Sequence, residues 1–542
     1  MYRSILNPKK MIKIPQRLLG EALLYSAEKN PSKTAIIVKG AEYSYIQLKD
    51  NAEKLADYLI KSGIRKGDRV AICMNNSWPT IVSVYGATIA GAVFVIINPQ
   101  TKADKLGYIL NDSGSKILIT EIYLKKEFLK AVKYTSDITE IIYTGKSELE
   151  IKDQHIEFTC FEGVLAKHTT ASDFPEIIPN DLAALIYTSG STGFPKGVMM
   201  THQAMVFASW SLIQYLRLSE NERILLLLPL AFDYGLYQLL MSVTLGATLI
   251  VEQSFIFTAS IYSQIEQFKP TVFPGVPTIY AMMIAGNKKN KIYFESIQKI
   301  TNTAAALPAE YIPELKKIFP NALIFKMYGL TECKRVCYLE PELIDLKPDS
   351  VGKAIPGTEI FLLSPSGEHT PKGEPGILHI RGPHLMSGYW NNEELSSKML
   401  KKAYLPGEKI LCSNDWFKMD IDGDLYFLGR NDDIIKSRGE KVSPVEIENV
   451  IYKITAIKEV AVIGIPDKIL GESIVAFITT HNTDVQLNEK EVLRECAVNL
   501  ENFMVPQKIV FLDEMPKNSN GKIDKLALKD FEIKNEEVSD VN

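Results

Sequence analysis

The segment Tyr187–Val198, with the sequence YTSGSTGFPKGV, carries an unusual density of groups that bind phosphate. Glycines let backbone N–H groups approach an anion closely, and hydroxyl groups and a lysine add donors and positive charge. These groups are Thr188, Ser189, Gly190, Ser191, Thr192, Gly193 and Lys196. Their spacing differs from the Gly-x-x-x-x-Gly-Lys-[Ser/Thr] phosphate loop. The segment predicts a phosphate-binding loop of another kind, and a simple Ser/Thr/Gly turn is the alternative.

The loop follows the apolar run Leu182–Ile186, which predicts a strand that leads into it. Throughout the first half of the chain, short apolar runs alternate with longer amphipathic segments, and this alternation predicts parallel α/β layers. We expect strands at Asp68–Met74, Ala92–Ile97, Lys116–Thr120, Arg223–Leu230, Ala247–Glu252 and Thr271–Val276, and helices at Thr80–Gly91 and Lys102–Ser113.

From about Ser350 the pattern changes to short strands separated by Gly/Pro turns, which predicts an antiparallel, barrel-like or meander region. After Arg430 a new alternation predicts a small α+β domain with its own core. Its expected elements are helices at Pro444–Ile454 and Lys490–Leu500 and strands at Val460–Gly464, Ser473–Thr479 and Lys508–Leu512. We therefore expect an α/β fold. A large domain of layered α/β subdomains plus a β-barrel-like subdomain spans residues 1–429. A small mobile α+β domain, residues 430–542, follows a hinge near residues 429–433.

Composition narrows the class of protein. The 542 residues include 61 Lys+Arg and 65 Asp+Glu, a net charge of −4, which excludes a generally basic nucleic-acid-binding protein. The apolar runs are shorter than the roughly 20 residues that a spanning helix needs, so we expect no membrane span. No export signal is expected at the start of the chain, and the cytoplasm is the expected compartment. None of the six cysteines forms a C-x-x-C pair, which argues against structural zinc.

The phosphate-loop segment resembles the signature of the AMP-forming adenylating enzymes: acyl-CoA synthetases, nonribosomal peptide synthetase adenylation domains and luciferases. The resemblance extends from about Leu19 to Lys529, and further motifs follow in the family's order. One is Met327–Glu332, MYGLTE. The resemblance implies that Tyr328 stacks on adenine, Thr331 contacts the α-phosphate and Glu332 holds Mg²⁺. An aromatic face suits a purine, and a hard cation prefers an oxygen ligand.

Two further segments are implied to bind the nucleoside. In Ser413–Asp415 the family usually has Thr-Gly-Asp, so Ser and Asn are departures here. Asp415 is implied to accept the two ribose hydroxyls, and Arg430 to bind the ribose as well. A solvated turn is the alternative for Asp415. In the loop 301–308, TNTAAALP, Thr303 and Ala304 replace two glycines that lie against adenine in the family.

The C-terminal region matches two more family motifs. In PKNSNGKIDK, the Asn-Gly turn predicts a hairpin tip, and Lys522 is implied to bridge the substrate carboxylate and the α-phosphate. An exposed surface lysine is the alternative. The segment IKSRGE is similar to a loop that enters the active site in the second half-reaction. Lys436, Gly439 and Lys441 are its candidate contacts with the thiol substrate, and Asp432 is the implied hinge.

The resemblance implies a two-step ligase that uses ATP and Mg²⁺. A carboxylate first attacks the α-phosphorus of ATP and pyrophosphate leaves. A phosphopantetheine thiol, from CoA or a carrier protein, then attacks the mixed anhydride and AMP leaves. Positioning and charge neutralisation dominate such chemistry. The alternatives are a luciferase-like oxidase and a nucleotide-binding pseudoenzyme that acts as a scaffold. His202, just after the loop, is expected to be a packed or capping histidine and not a base.

The acid is left open between two classes. Phe232-Asp233 resembles the Phe-Asp of amino-acid adenylation domains, in which the Asp pairs with the α-ammonium group of the substrate. Tyr234 and Tyr237 would then line the side-chain pocket. The alternative is that Asp233 caps a helix, since Asp is a preferred N-cap residue. The segment RGEKVSPVEIE looks more like acyl-CoA synthetases, which favours a plain carboxylic acid.

Overall fold

The computed structural model of the chain describes residues 16–145, 155–167, 173–188, 195–252, 258–290, 292–303, 305–431, 433–437, 440–467, 470–481, 487–500, 502–518 and 521–539. Its helices are α1 (Leu19–Lys29), α2 (Tyr45–Lys61), α3 (Trp78–Ile89), α4 (Ala103–Ser113), α5 (Lys125–Ala131), α6 (Phe161–Lys167), α7 (His202–Tyr215), α8 (Asp233–Leu245), α9 (Thr258–Phe268), α10 (Pro277–Asn290), α11 (Tyr311–Ile318), α12 (Glu393–Met399), α13 (Pro444–Tyr452), α14 (Glu489–Asn499) and α15 (Lys525–Ser539).

The strands of the first half are β1 (Thr34–Val38), β2 (Ala41–Ser44), β3 (Arg69–Cys73), β4 (Val93–Ile97), β5 (Ser115–Glu121), β6 (Glu140–Thr144), β7 (Glu157–Cys160), β8 (Leu182–Thr188), β9 (Lys196–Thr201), β10 (Arg223–Leu226), β11 (Thr248–Val251) and β12 (Val272–Gly275). The strands of the second half are β13 (Lys299–Asn302), β14 (Leu323–Tyr328), β15 (Cys337–Tyr338), β16 (Lys353–Ala354), β17 (Glu359–Leu363), β18 (Pro375–Arg381), β19 (Gly388–Tyr389), β20 (Leu400–Lys402), β21 (Lys409–Met419), β22 (Leu425–Arg430), β23 (Ile435–Ser437), β24 (Glu440–Val442), β25 (Ile457–Asp467), β26 (Gly471–Thr480) and β27 (Lys508–Phe511).

The chain divides into two compact units, and the first comprises residues 1–254, 331–334 and 383–393. Its eight-stranded sheet has the order β19-β9-β8-β4-β3-β5-β6-β7, and β1, β11 and β10 pair in parallel elsewhere in the unit. All five residues of β4, VFVII, are buried, as expected for a strand covered on both faces. The strand β8 pairs in parallel with β4 and in antiparallel with β9, so the buried sheet holds both strands that flank the predicted phosphate loop.

The second unit comprises residues 255–330, 335–382 and 394–542. In it β12, β13 and β14 pair in parallel, and β14 leads into the MYGLTE motif. An antiparallel sheet of order β17-β18-β21-β20, with β22 on β21, follows. A third sheet, β24-β23-β26-β25 with β27 on β26, packs its apolar face on α13 and α14 around buried residues such as Ile447, Ile474 and Val492.

The structure confirms the predicted fold class: alternating α/β layers in the first half, antiparallel strands between about 350 and 430, and an α+β region after Arg430. The predicted division at residues 429–433 stays a prediction, as does the mobility of the region after it. Within the described ranges, no helix combines the length and the apolar character that crossing a bilayer requires.

One predicted strand is too long. We expected a strand at Arg223–Leu230, but β10 ends at Leu226. The chain turns because Pro229 lacks an N–H group, and its carbonyl accepts a hydrogen bond from the N–H of Phe232. The buried Asn76 side chain stabilises this turn. Its Nδ2 donates to the Leu228 carbonyl (2.9 Å), and its Oδ1 accepts from the Leu230 N–H (2.8 Å).

His202 is a packed histidine, as predicted. It is the first residue of α7, it is 1% exposed, and its Nδ1 accepts a hydrogen bond from the backbone N–H of Leu19. Burial lowers the pKa of His202 to about 4, because the charged imidazolium loses its hydration.

This burial predicts an acid-sensitive fold. The unfolded chain binds a proton at His202 near pH 6.5, while the folded chain does so only near pH 4. Between these values the unfolded state holds more protons, so the free energy of unfolding decreases as pH falls from 6.5 towards 4. The full difference corresponds to about 3 kcal/mol. Urea unfolding at several pH values should show that His202→Asn flattens this slope. The exposed His369→Asn should leave the slope unchanged, and an equal slope in both variants would contradict the assignment.

Candidate active site

The predicted phosphate loop is closed by two paired strands. The last residue of β8, Thr188, is the register partner of Lys196, the first residue of β9. The predicted ligands Ser189, Gly190, Ser191, Thr192 and Gly193 lie outside the described residues. The antiparallel pairing of β8 with β9 places the hydroxyl residue Thr188 and the ammonium residue Lys196 at the same end of the hairpin.

A tyrosine joins Lys196 to Glu332. The Tyr389 hydroxyl donates to Glu332 Oε1 (2.6 Å) and accepts from Lys196 Nζ (3.0 Å), and Lys196 Nζ lies 3.5 Å from the same carboxylate oxygen. The strand β19 positions this tyrosine by pairing with β9, so that Tyr389 lies opposite Val198. The backbone of Glu332 is held in turn, because its carbonyl accepts from the N–H of Met386 (2.7 Å).

Tyr389 is a member of the site that sequence reasoning missed. It lies 57 residues after Glu332, and no recognised motif marks it. Burial, reinforced by the nearby Glu332 carboxylate, raises the pKa of Tyr389 far above its usual range. The phenol therefore stays protonated and acts as a permanent donor to Glu332.

The three residues expected to bind adenosine lie together in the second unit. The Tyr328 hydroxyl donates to Asp415 Oδ2, and its ring contacts Phe417 and Phe427 at centroid distances of 4.8 and 5.9 Å. Asp415 and Arg430 are direct cross-strand partners in β21 and β22, and Arg430 Nε lies 3.9 Å from Asp415 Oδ1. Asp415 is 4% exposed. Its carboxylate has about four lone-pair sites, which leaves capacity for further hydroxyl donors.

The departure at Asn414 has a structural explanation. Asn414 has φ of 61°, a left-handed conformation that is costly for most residues but accessible to Gly and Asn. Its carbonyl accepts from the N–H of Asn431 (2.9 Å), and the N–H of Asp415 donates to Ser413 Oγ (3.1 Å). Asn414 and Ser413 therefore support the irregular part of β21 that presents Asp415.

Lys522 lies on the predicted hairpin. Lys517 and Ile523 form a bridge, the Asn518 N–H donates to the Lys522 carbonyl (2.9 Å), and Gly521 has φ of 73°. The Lys522 N–H donates to Asn518 Oδ1 (3.2 Å), and the lysine is exposed. The hairpin is confirmed, and the catalytic role of Lys522 stays a prediction.

Three other predicted contacts, Asp432, Gly439 and Ala304, lie outside the described residues. The backbone of Lys436 belongs to β23 and pairs with that of Lys441 in β24. Beside Ala304, Thr303 is buried and accepts a hydrogen bond from Arg335 Nη1.

Asp233 is paired with a lysine that sequence reasoning did not consider. Lys334 Nζ donates to Asp233 Oδ2 (3.2 Å) and lies 4.7 Å from the ring centroid of Tyr237 and 5.4 Å from that of Tyr234. The side chain of Lys334 is 1% exposed and that of Asp233 is 27% exposed. The structure therefore brings all three predicted pocket residues around one ammonium group.

Asp233 is not the N-cap residue of its helix, which was the alternative to a role in substrate binding. Phe232 is the N-cap residue of α8, and Asp233 is the first residue inside the helix. A carboxylate in the first turn is favoured by the helix dipole. Gly235 lets this turn approach the preceding loop, because a Cβ atom there would lie 2.2 Å from the Pro229 carbonyl oxygen.

The two partners of this pair should differ in their effect on stability. Asp233→Asn leaves the Lys334 ammonium buried without its counter-charge and should cost about 3 kcal/mol. Lys334→Met should cost less, because the Asp233 carboxylate is partly exposed and lies at a helix N-terminus. Urea unfolding of both variants tests this order, and the reverse order would contradict the burial argument.

A second cluster of carboxylates is held by a lysine. Asp420, Asp422 and Asp424 converge, and among the described residues they form the group with metal-like spacing. Lys347 Nζ lies 2.8, 2.8 and 2.6 Å from them in that order, and these hydrogen bonds raise the pKa of Lys347. The one ammonium group offsets part of the charge of the three carboxylates and links them, so the cluster serves the antiparallel region as a structural ion network.

Comparison with known proteins agrees with this geometry. Residues 23–390 match the AMP-binding enzyme family, and residues 446–522 match the AMP-binding enzyme C-terminal domain. A long-chain-fatty-acid–CoA ligase of Bacillus subtilis (strain 168) is 31% identical over 97% of this chain and 96% of its own length. Tyrocidine synthase 3 of Brevibacillus parabrevis is 28% identical over 95% of this chain, and the match covers 8% of that protein.

Among solved structures, the anthranilate CoA ligase AuaEII in complex with anthranoyl-AMP superposes with a TM-score of 0.86. It is 26% identical, and the match covers 95% of this chain and 96% of that one. The chain therefore belongs to the AMP-binding enzyme family, and it is an AMP-forming ligase that adenylates a carboxylic acid with ATP and transfers the acyl group to a phosphopantetheine thiol.

Proposed function

We propose that the thiol acceptor of this ligase is coenzyme A. The observation that carries the proposal is the match over 96% of the length of both the fatty-acid–CoA ligase and the anthranilate CoA ligase. The segment RGEKVSPVEIE, which resembles acyl-CoA synthetases, supports the same acceptor. A carrier protein is the second candidate, because tyrocidine synthase 3 matches 95% of this chain.

In the first step, the phosphates of ATP bind the loop between β8 and β9, with Thr188 and Lys196 at its ends. Tyr328 and the Asp415–Arg430 pair hold the adenosine, and the contacts within this group support that assignment. Thr331 contacts the α-phosphate. Lys522 bridges the attacking carboxylate and the α-phosphate, where it stabilises the charge of the transition state.

We assign a Mg²⁺ contact to Glu332. Mg²⁺ is usually held by one or two carboxylates together with substrate phosphates. Glu332 fits this role, since it is a buried carboxylate adjacent to Thr331 and is held in place by Tyr389 beside Lys196. When bound, the ion neutralises charge on the phosphates. Tyr389 and Lys196 orient the carboxylate before the nucleotide arrives.

In the second step, the thiol attacks the acyl adenylate and AMP leaves. The two steps need different groups near the reacting carbonyl. We therefore propose that the region after the hinge at Asp432 alternates between two positions. Lys522 acts in the first position, and the loop with Lys436, Gly439 and Lys441 acts in the second.

We place this ligase in the cytoplasm. The described structure has all six cysteines as free thiols, which is typical of proteins in a reducing compartment. ATP and CoA, its proposed substrates, are cytoplasmic metabolites.

The acceptor is tested by mass spectrometry of products. The purified chain is incubated with ATP, Mg²⁺ and a mixture of fatty and aryl acids, together with either CoA or a phosphopantetheinylated carrier protein. We expect acyl-CoA with release of AMP. Acyl-carrier protein formed in the absence of any acyl-CoA product would overturn the proposal in favour of the second candidate.

Tyr389 should act as a positioning residue for Glu332. Tyr389→Phe removes the hydroxyl that donates to the Glu332 carboxylate, and we expect the KM for ATP to rise about tenfold, with a smaller change in kcat. The concentration of Mg²⁺ that gives half-maximal activity should rise with it. Tyr404→Phe, at a tyrosine that is 80% exposed, is the matched control. An unchanged Mg²⁺ requirement with an intact fold would remove Tyr389 from this role.

A further inference from the structure

The pair formed by Lys334 and Asp233 has a consequence for the choice of acid. We propose that it makes this site select carboxylic acids that carry no α-ammonium group, with Lys334 as the specificity-determining residue. The inference rests on the proposed function, and it names the substrate class that the sequence leaves open.

Lys334 is close in sequence to Glu332, to which we assign the Mg²⁺ contact. Lys334 follows Glu332 by two residues in the segment 331–334, and consecutive Cα atoms are about 3.8 Å apart. Its ammonium group donates a hydrogen bond to Asp233. The resemblance of Phe232-Asp233 to amino-acid adenylation domains implies that Asp233 lies where those domains bind the α-ammonium group. On that resemblance, the pair occupies the place at which an amino acid would present its charge.

Lys334 is held there at an energetic cost. Its φ of 64° lies in the left-handed region, which is unfavourable for a residue other than Gly, Asn or Asp, and its side chain is 1% exposed. Strained residues of this kind cluster at functional sites. Burial of an ammonium group is also unfavourable unless the charge is compensated. Asp233 supplies the counter-charge, and the faces of Tyr237 and Tyr234 supply cation–π contacts.

Electrostatics then discriminates between the two classes of acid. The Asp233 carboxylate is already neutralised by Lys334, so its attraction for a second cation is largely cancelled. An α-ammonium group bound beside Asp233 would also face the like charge of Lys334, and two like charges in a partly buried site repel strongly. A plain acyl or aryl acid meets only a neutral pair and two aromatic rings. We therefore expect a preference of about 100-fold or more for the plain acid.

The test on the unaltered protein uses acids matched in carbon skeleton. ATP–pyrophosphate exchange is measured with hexanoate against norleucine and with 3-phenylpropanoate against phenylalanine. Binding is measured by calorimetry with the unreactive sulfamoyl-adenosine analogues of the same four acids. We expect faster exchange and tighter binding for the plain member of each pair. Equal or tighter binding of the amino-acid analogues would overturn the inference, whatever the exchange rates.

Variants test whether the preference for plain acids depends on the pair of Lys334 and Asp233. Lys334→Met removes the ammonium group that pairs with Asp233. The ratio of plain-acid to amino-acid exchange should therefore fall at least tenfold, with an increase in the exchange rate of the amino acid. The double variant Lys334→Met/Asp233→Asn should lose that gain. Lys39→Met is the matched control, because Lys39 also has a left-handed backbone (φ 50°) and is exposed. A ratio in Lys334→Met equal to that of the control would overturn the role of Lys334.

The two proposals fail in different ways. Tight binding of the plain-acid analogues without exchange or thioester formation would contradict the proposed function and support the selection rule. Exchange that is faster with norleucine or phenylalanine would support the ligase and overturn the rule. Absence of binding by every analogue would overturn both.

Discussion

Replacing Lys522 by alanine is expected to reduce ATP–pyrophosphate exchange by about 10²–10³-fold, which is the effect of removing a donor that stabilises developing charge. The exposed hairpin position supports this expectation, because a side chain there can be removed without leaving a hole in the core. The second step uses other groups, so thioester formation from a supplied acyl adenylate should be largely retained. Exchange and single-turnover thiolation, measured on the same preparation, separate the two steps.

Lys517→Ala is the control for this variant. Lys517 lies on the same hairpin, and its Nζ is paired with Glu459 at 2.8 Å. It should keep near-normal exchange. If Lys522→Ala keeps full exchange, Lys522 has no part in adenylation, and another group must stabilise the charge on the α-phosphate.

The second large effect is expected at Glu332. Glu332→Gln keeps the shape of the side chain and an oxygen that can accept from Tyr389, but it removes the negative charge beside Lys196. Because an amide is a weaker ligand for a hard cation, we expect exchange to fall by about 10²-fold and the Mg²⁺ requirement to rise. Exchange measured across a Mg²⁺ titration reports both quantities.

Glu220→Gln is the matched control for Glu332. Glu220 is an exposed glutamate of the same unit, and its carboxylate pairs with Lys29 at the surface. It should keep a normal Mg²⁺ titration and normal exchange. A Glu332→Gln protein that keeps the Mg²⁺ titration of this control would place the ion elsewhere.

Local sequence was sufficient for most of the secondary structure. The buried strand Val93–Ile97 and the helix Ala103–Ser113 agree with their predicted ranges to within a residue, because apolar periodicity reports the local backbone directly. The hairpin that carries Lys522 was predicted from the Asn-Gly pair, of which Asn520 lies outside the described residues. The strand predicted at Arg223–Leu230 was too long because hydrophobicity continues through Pro229, whereas backbone hydrogen bonding does not.

The grouping of Tyr328, Asp415 and Arg430 was also expected from sequence, but only through the resemblance of their motifs. Tyr328 and Asp415 are 87 residues apart, and no local pattern relates them. The register of β21 on β22 makes Asp415 and Arg430 cross-strand partners. The left-handed backbone at Asn414 explains why a residue other than glycine is accepted there.

By itself, the sequence determined the alternation of strands and helices and the family, and it predicted the phosphate-binding loop. Only the tertiary structure showed that Tyr389 donates a hydrogen bond to Glu332 and that Lys334 pairs with Asp233. The physical reason is that the first contact joins residues 57 positions apart and the second joins residues 101 positions apart. The strength of both contacts depends on burial. The position of a lysine in the sequence does not show whether its ammonium group is hydrated or enclosed by the fold. The fold encloses the ammonium group of Lys334 between a carboxylate and two aromatic rings, and the proposed selection among acids depends on that enclosure.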